Sequence, residues 1–100
     1  MYIKINIEMS GKGRTLISKG FINNNILALS YNDRNYTRQV YNSMKSNGAK
    51  VSLSPDNIII QTFENATMYE ILEKMKKESE EIGIKNGMKV KFTDELIEDK

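Results

Sequence analysis

Apolar and polar residues alternate from the start of the chain. Ile3, Ile5, Ile7 and Met9 interleave with Tyr2, Lys4, Asn6 and Glu8, the two-residue period of a strand with one buried face. Ser10-Gly11-Lys12-Gly13 supplies residues that tolerate positive φ, and Thr15 to Phe21 predicts a second strand beyond it. Across Asn23-Asn24-Asn25 a third strand follows over Ile26 to Tyr31. The period then changes. Asn32 and Asp33 are good N-cap residues, Arg34 to Ser46 has helical spacing, and Asn47-Gly48 ends it.

The second half repeats the move. Val51 to Leu53 and Asn57 to Phe63 flank Ser54-Pro55-Asp56, where proline suits a tight turn. Met68, Ile71, Leu72, Met75 and Ile82 then fall on one helical face, with Thr67 and Glu70 in capping-box spacing at the start and Gly83 at the end. Met88 to Phe92 alternates as a last strand.

The pattern predicts an α+β fold in the order βββαββαβ: a mostly antiparallel sheet of five to six strands with both helices packed on one face. Residues 1–93 form a single domain on this reading, and 94–100 an acidic, frayed tail. Asn25–Tyr31 resembles Asn57–Phe63 at an offset of 32 positions, which generic hairpin-helix patterning accounts for without duplication. Ile26 and Ala28 are apolar on the side of the third strand opposite Leu27, Leu29 and Tyr31, and Ile58, Ile59 and Ile60 are apolar on both sides. Something is therefore expected to cover the second sheet face, and a homodimer would do so.

Composition narrows the chemistry. The chain has 100 residues, near the modal size of one domain, with 39% hydrophobic and 28% charged residues. No secretory signal is visible at the start, and no apolar run has the length of a membrane span, so a cytoplasmic protein is expected. The two glycosylation-like tripeptides, Asn35-Tyr36-Thr37 and Asn65-Ala66-Thr67, are read as chance matches. With no cysteine and no histidine, thiol catalysis, disulfides, the usual transition-metal ligands and the usual neutral-pH bases are all missing. Glu8, Asp33, Asp56 and Glu64 could in principle serve a carboxylate enzyme, but each sits in or beside a turn or cap. The expectation is a protein without catalytic residues, metal or cofactor.

Charge offers the remaining signal. Residues 1–50 carry a net +6 and residues 51–100 a net −4, a dipole that could steer an anionic partner or align two copies. On the first helix Arg34, Arg38 and Lys45 share a narrow arc bordered by Tyr41, with no carboxylate among them. Such a ridge could hold phosphate while tyrosine stacks on a base. Gly11-Lys12-Gly13-Arg14 could form a backbone nest for an anion, although it lacks Walker spacing and precedes no helix. For each feature the plain alternative, a solvated helix face and a hairpin turn, is the favoured one.

Richness in Asn, Ile and Lys resembles the products of AT-rich bacterial or phage genomes, whose small non-catalytic domains include inhibitors and adaptors. Three functions stay open, in this order: a protein-binding inhibitor or adaptor of the kind phages and mobile elements encode; a nucleic-acid or nucleotide binder using Arg34, Arg38, Lys45, Tyr41, Lys12 and Arg14; and a carboxylate-based enzyme.

Overall fold

The computed structural model describes residues 1–98. Its elements are β1 (Tyr2–Gly11), β2 (Arg14–Asn23), β3 (Ile26–Tyr31), α1 (Arg34–Ser46), β4 (Val51–Leu53), β5 (Ile59–Thr62), α2 (Met68–Asn86) and β6 (Lys89–Ile97). The expected α+β order is what is found, with six strands in one sheet arranged β4-β5-β3-β2-β1-β6 and every pairing antiparallel.

Local chemistry sets the boundaries. Lys12 and Gly13 both take positive φ, 52° and 74°, as a two-residue turn matched to strand twist requires. β1 and β2 are therefore longer than their alternation suggests, pairing out to Gly11 and Arg14. Asp33 caps α1 by accepting from the Tyr36 amide at 3.1 Å. Thr67 and Glu70 form the reciprocal capping box that their spacing announces: the Glu70 amide donates to Thr67 Oγ1 at 3.2 Å and the Thr67 amide to Glu70 Oε1 at 3.1 Å.

Three expectations are corrected. α2 does not stop at Gly83; it runs to Asn86 and is capped by Gly87 in the left-handed conformation. Gly83 sits inside the helix because β6 passes close by: a Cβ placed there would lie 2.3 Å from Val90 Cγ2. Ile82 is 46% exposed and lies outside the buried core. β5 is shorter than expected, Ile58 lying before it. β6, finally, continues past Phe92 to Ile97, so that most of the supposed frayed tail is strand, with Asp94 opposite Ile5 and Ile97 opposite Tyr2. Lys100 and Asp99, the end of that tail, lie outside the described residues.

One face of the sheet carries Ile3, Ile5, Ile7, Ile22, Leu27, Leu29 and Ile59, all buried. α2 packs there on β1, β2 and β6 through Ile71, Leu72 and Met75, and α1 lies over β3 and β4. Burying that many aliphatic side chains, each worth ~1.5–3 kcal/mol, is what holds the layers together. At the sheet centre Ala28 lies directly opposite Ile60. Those residues are 32 positions apart, the offset of the sequence similarity, so the β3–β5 pair obeys a local twofold axis normal to the sheet.

Candidate functional site

The residues singled out for anion binding are not gathered into one place. Arg34 and Arg38 are exposed on α1 beside the β4–β5 turn, where Arg38 Nε donates to Asn57 Oδ1 at 3.3 Å. Asn57 is itself buried with a φ of 60°, so Arg38 braces the turn. Lys45 stands in the last turn of α1, its ammonium 5.9 Å from the centre of the Tyr41 ring, a cation–π contact within the helix. Lys12 and Arg14 belong to the β1–β2 turn, with the Lys12 side chain beside Gly87. Arg14 lies four strand positions beyond Ser18, the partner of Tyr31 at the entrance to α1, which is ~13 Å along the strand. The ridge on α1 and the turn cations are separate features.

The four carboxylates are equally dispersed. Asp33 is engaged as a helix cap. Asp56 lies in the β4–β5 turn, Glu64 pairs with Lys50 on the surface, and Glu8 stands between Ile17 and Lys91 on neighbouring strands. Among the described residues no three Asp or Glu side chains converge into a site that could hold a metal ion. No helix among them is long and apolar enough to cross a membrane.

The arrangement that does come together is on the sheet face away from both helices. By register, Phe21, Ala28 and Ile60 sit side by side across β2, β3 and β5. Ile26 precedes Ala28 by two positions along β3, and the Tyr2 ring meets the Phe21 ring edge-on with 6.0 Å between centroids. Phe21 is 42% exposed and Ile26 39% exposed, Tyr2 and Ile60 are half-buried, and Ala28, at 2%, is covered by its neighbours. Polar residues rim this patch: Lys4 lies directly opposite Phe21, Lys19 opposite Ser30, and Ser52 opposite Ile60. A solvated sheet face normally carries polar side chains at these positions, so a run of large apolar ones is the departure that needs a reason.

Ile26, Ala28 and Ile60 were legible as apolar on this side from their positions in the sequence. Tyr2 and Phe21 were not. Both fall on the outward parity of their strands, and an aromatic at such a position is the signal that would have found them.

The second exposed feature is the sheet edge. β6 is nine residues long, contains no proline, and pairs on one side only, with β1. Its sequence is basic at the start, at Lys89 and Lys91, and acidic towards the end, at Asp94 and Glu95. The other edge, β4, has only three residues.

Compared with known proteins, the chain matches no family model, no curated protein and no solved structure.

Proposed function

We propose that the chain is a non-catalytic binding module, an inhibitor or adaptor, whose partner is another protein docked on the open face of the sheet. The observation that supports this is the contiguous patch of Tyr2, Phe21, Ile26, Ala28 and Ile60. An aromatic and aliphatic centre with a lysine- and serine-bearing rim is the composition of a protein interface core and its surround. The reading is tested by retaining partners from cell extract on the immobilised chain and washing with increasing salt. A protein companion that resists high salt, is lost with Phe21→Glu, and persists with Arg34→Glu and Arg38→Glu together supports it. A companion released by salt or indifferent to Phe21→Glu overturns it.

A second reading, binding of single-stranded nucleic acid, is favoured by one feature of the same face. Tyr2 and Phe21 offer rings on which bases can stack, with Lys4 and Lys19 beside them to meet phosphates. That interaction would fall steeply with salt and would be lost with Lys4→Glu.

A second copy of the chain is also a protein partner, and the edge of β6 supplies a way to hold it. Two β6 strands paired antiparallel about Thr93 would place Lys91 opposite Glu95 twice on the open face, and Val90 opposite Leu96 twice on the helix face. Leu96 is 43% exposed in the single chain. Such a dimer leaves the open face free and joins two of them into one continuous surface.

A further inference from the structure

The two helices do not close over the sheet between them. α1 rests on β3 and β4, α2 on β1, β2 and β6, and the trough that remains holds a cavity of about 290 Å³. Its walls are Leu16, Leu27 and Leu29 from the sheet, Val40 and Met44 from α1, and Met75 from α2. Close-packed interiors leave few voids larger than a water molecule, whereas this volume approaches the lower end of ligand pockets, ~300 Å³. At the floor the Ser18 hydroxyl pairs with that of Tyr31, so this pair is closed to a ligand. Charge stands at the mouth instead. Lys74 and Glu78, both exposed, line the cavity from consecutive turns of α2, with ~6 Å between Cβ atoms at that spacing. Neither makes an ion pair among the described residues, and lysine ahead of glutamate is the less favourable order for pairing along a helix. The Lys74 ammonium lies 5.4 Å from the centre of the Phe63 ring, which is itself part of the cavity wall.

We infer that the trough between α1 and α2 binds a free α-amino acid with an aromatic or branched apolar side chain, its carboxylate on Lys74 and its ammonium on Glu78. Charge complementarity selects this class. An uncharged apolar molecule leaves both groups at the mouth unused. A simple anion is attracted by Lys74 and repelled by Glu78, and a simple cation meets the reverse. A zwitterion whose two charges are joined through one carbon meets both partners and brings no net charge. The apolar walls supply most of the affinity by taking the side chain out of water. The two charged contacts are exposed and individually weak, and they fix orientation. This site goes beyond the protein-docking reading: it lies on the opposite side of the sheet from that patch, and the two stand or fall separately.

The test titrates the chain with three probes that share a phenyl group: phenylalanine, 2-phenylethylamine, which lacks the carboxylate, and 3-phenylpropionate, which lacks the ammonium. Binding is read from the methyl NMR signals of Leu27, Leu29, Met44 and Met75. The expected result is saturable shifts at these methyls with phenylalanine and binding about fivefold weaker with either of the others, the value of one exposed charged contact. Lys74→Ala should weaken phenylalanine about fivefold and leave 2-phenylethylamine no weaker; Glu78→Ala should do the same to phenylalanine and leave 3-phenylpropionate no weaker. Both positions are exposed, so neither change threatens the fold. Met44→Trp, which fills the trough from a half-buried position on α1, should abolish binding of all three. The inference is overturned if phenylalanine leaves the cavity methyls unmoved, if it binds no better than the two singly charged probes, if Lys74→Ala and Glu78→Ala leave its affinity unchanged, or if Met44→Trp binds as the parent does.

Discussion

At Gly20 one missing methyl group sets the geometry of the sheet centre. The residue pairs with Ile5 on one side and Leu29 on the other, and a Cβ there would fall 1.8 Å from the Ala28 carbonyl oxygen. That oxygen is backbone and cannot rotate away, so Gly20→Ala must push β2 and β3 apart. Overpacking of this kind costs ~2 kcal/mol or more, and the melting temperature should fall by about 10 °C for a domain of this size, as a thermal melt would show. Tyr31 is the residue with a readable pH dependence. Burial chiefly, then the neighbouring Tyr36, raise its hydroxyl from an ordinary 10.0 to about 12, with a side-chain hydrogen bond to Ser18 acting the other way. The folded chain thus keeps a proton that the unfolded chain gives up above pH 10. Stability from Tyr31 is complete below that pH and is lost as pH rises towards 12. Tyr31→Phe should flatten this part of the stability profile in alkaline denaturation; an unchanged profile would place the titration elsewhere. Neither residue's role was legible beforehand. Alternation marks Gly20 as inward-facing but says nothing of the carbonyl above it. Thr37 likewise reads as an ordinary helix position, yet it is fully buried, donating to the Asp33 carbonyl at 2.9 Å and accepting from the Tyr31 amide at 3.2 Å.

Elements declare themselves in the sequence to the extent that their chemistry is local. α1 lies where its caps and spacing place it, and so does the start of α2, since Asp33 and Thr67 act on amides three residues away. The end of α2 misleads because Gly83 resembles a terminator, whereas its missing side chain serves a contact with Val90 that only the fold creates. β6 misleads for a related reason. Thr93 to Ile97 is too charged to read as strand alone, and pairing with β1 supplies the backbone partners that stabilise it, while Lys76 reaches Asp94 at 3.3 Å. Its mixed charge becomes meaningful once it is an edge. Long edges without proline invite another strand, and cross-strand opposite charges contribute ~0.2–1 kcal/mol each. If two copies pair about Thr93, Lys91→Glu should shift sedimentation equilibrium to monomer, and the double variant Lys91→Glu with Glu95→Lys should restore the dimer. A parent chain that sediments as a monomer at high concentration contradicts the pairing.

For the whole molecule, the charge division between the halves of the sequence does not become a division between two ends. The acidic half contributes β4 and β5 to one edge and β6 to the other, flanking the basic β1, β2 and β3. A dipole inferred from sequence order is therefore broken up by the topology. What the fold separates instead is two faces: a core sealed, apart from the trough, by two helices, and an open face with an apolar centre. Half of that face could be read from Ile26, Ala28 and Ile60, and half depended on knowing that Phe21 lies beside Ala28. The central claim, that the open face docks a protein, is tested most directly by isolating the chain from its own cells and passing it over size exclusion at low and high salt, with absorbance at 260 and 280 nm. The account predicts a protein companion that stays bound at high salt and is missing when Phe21 is replaced by Glu. Material absorbing at 260 nm that leaves with salt, or a companion unaffected by Phe21→Glu, would contradict it.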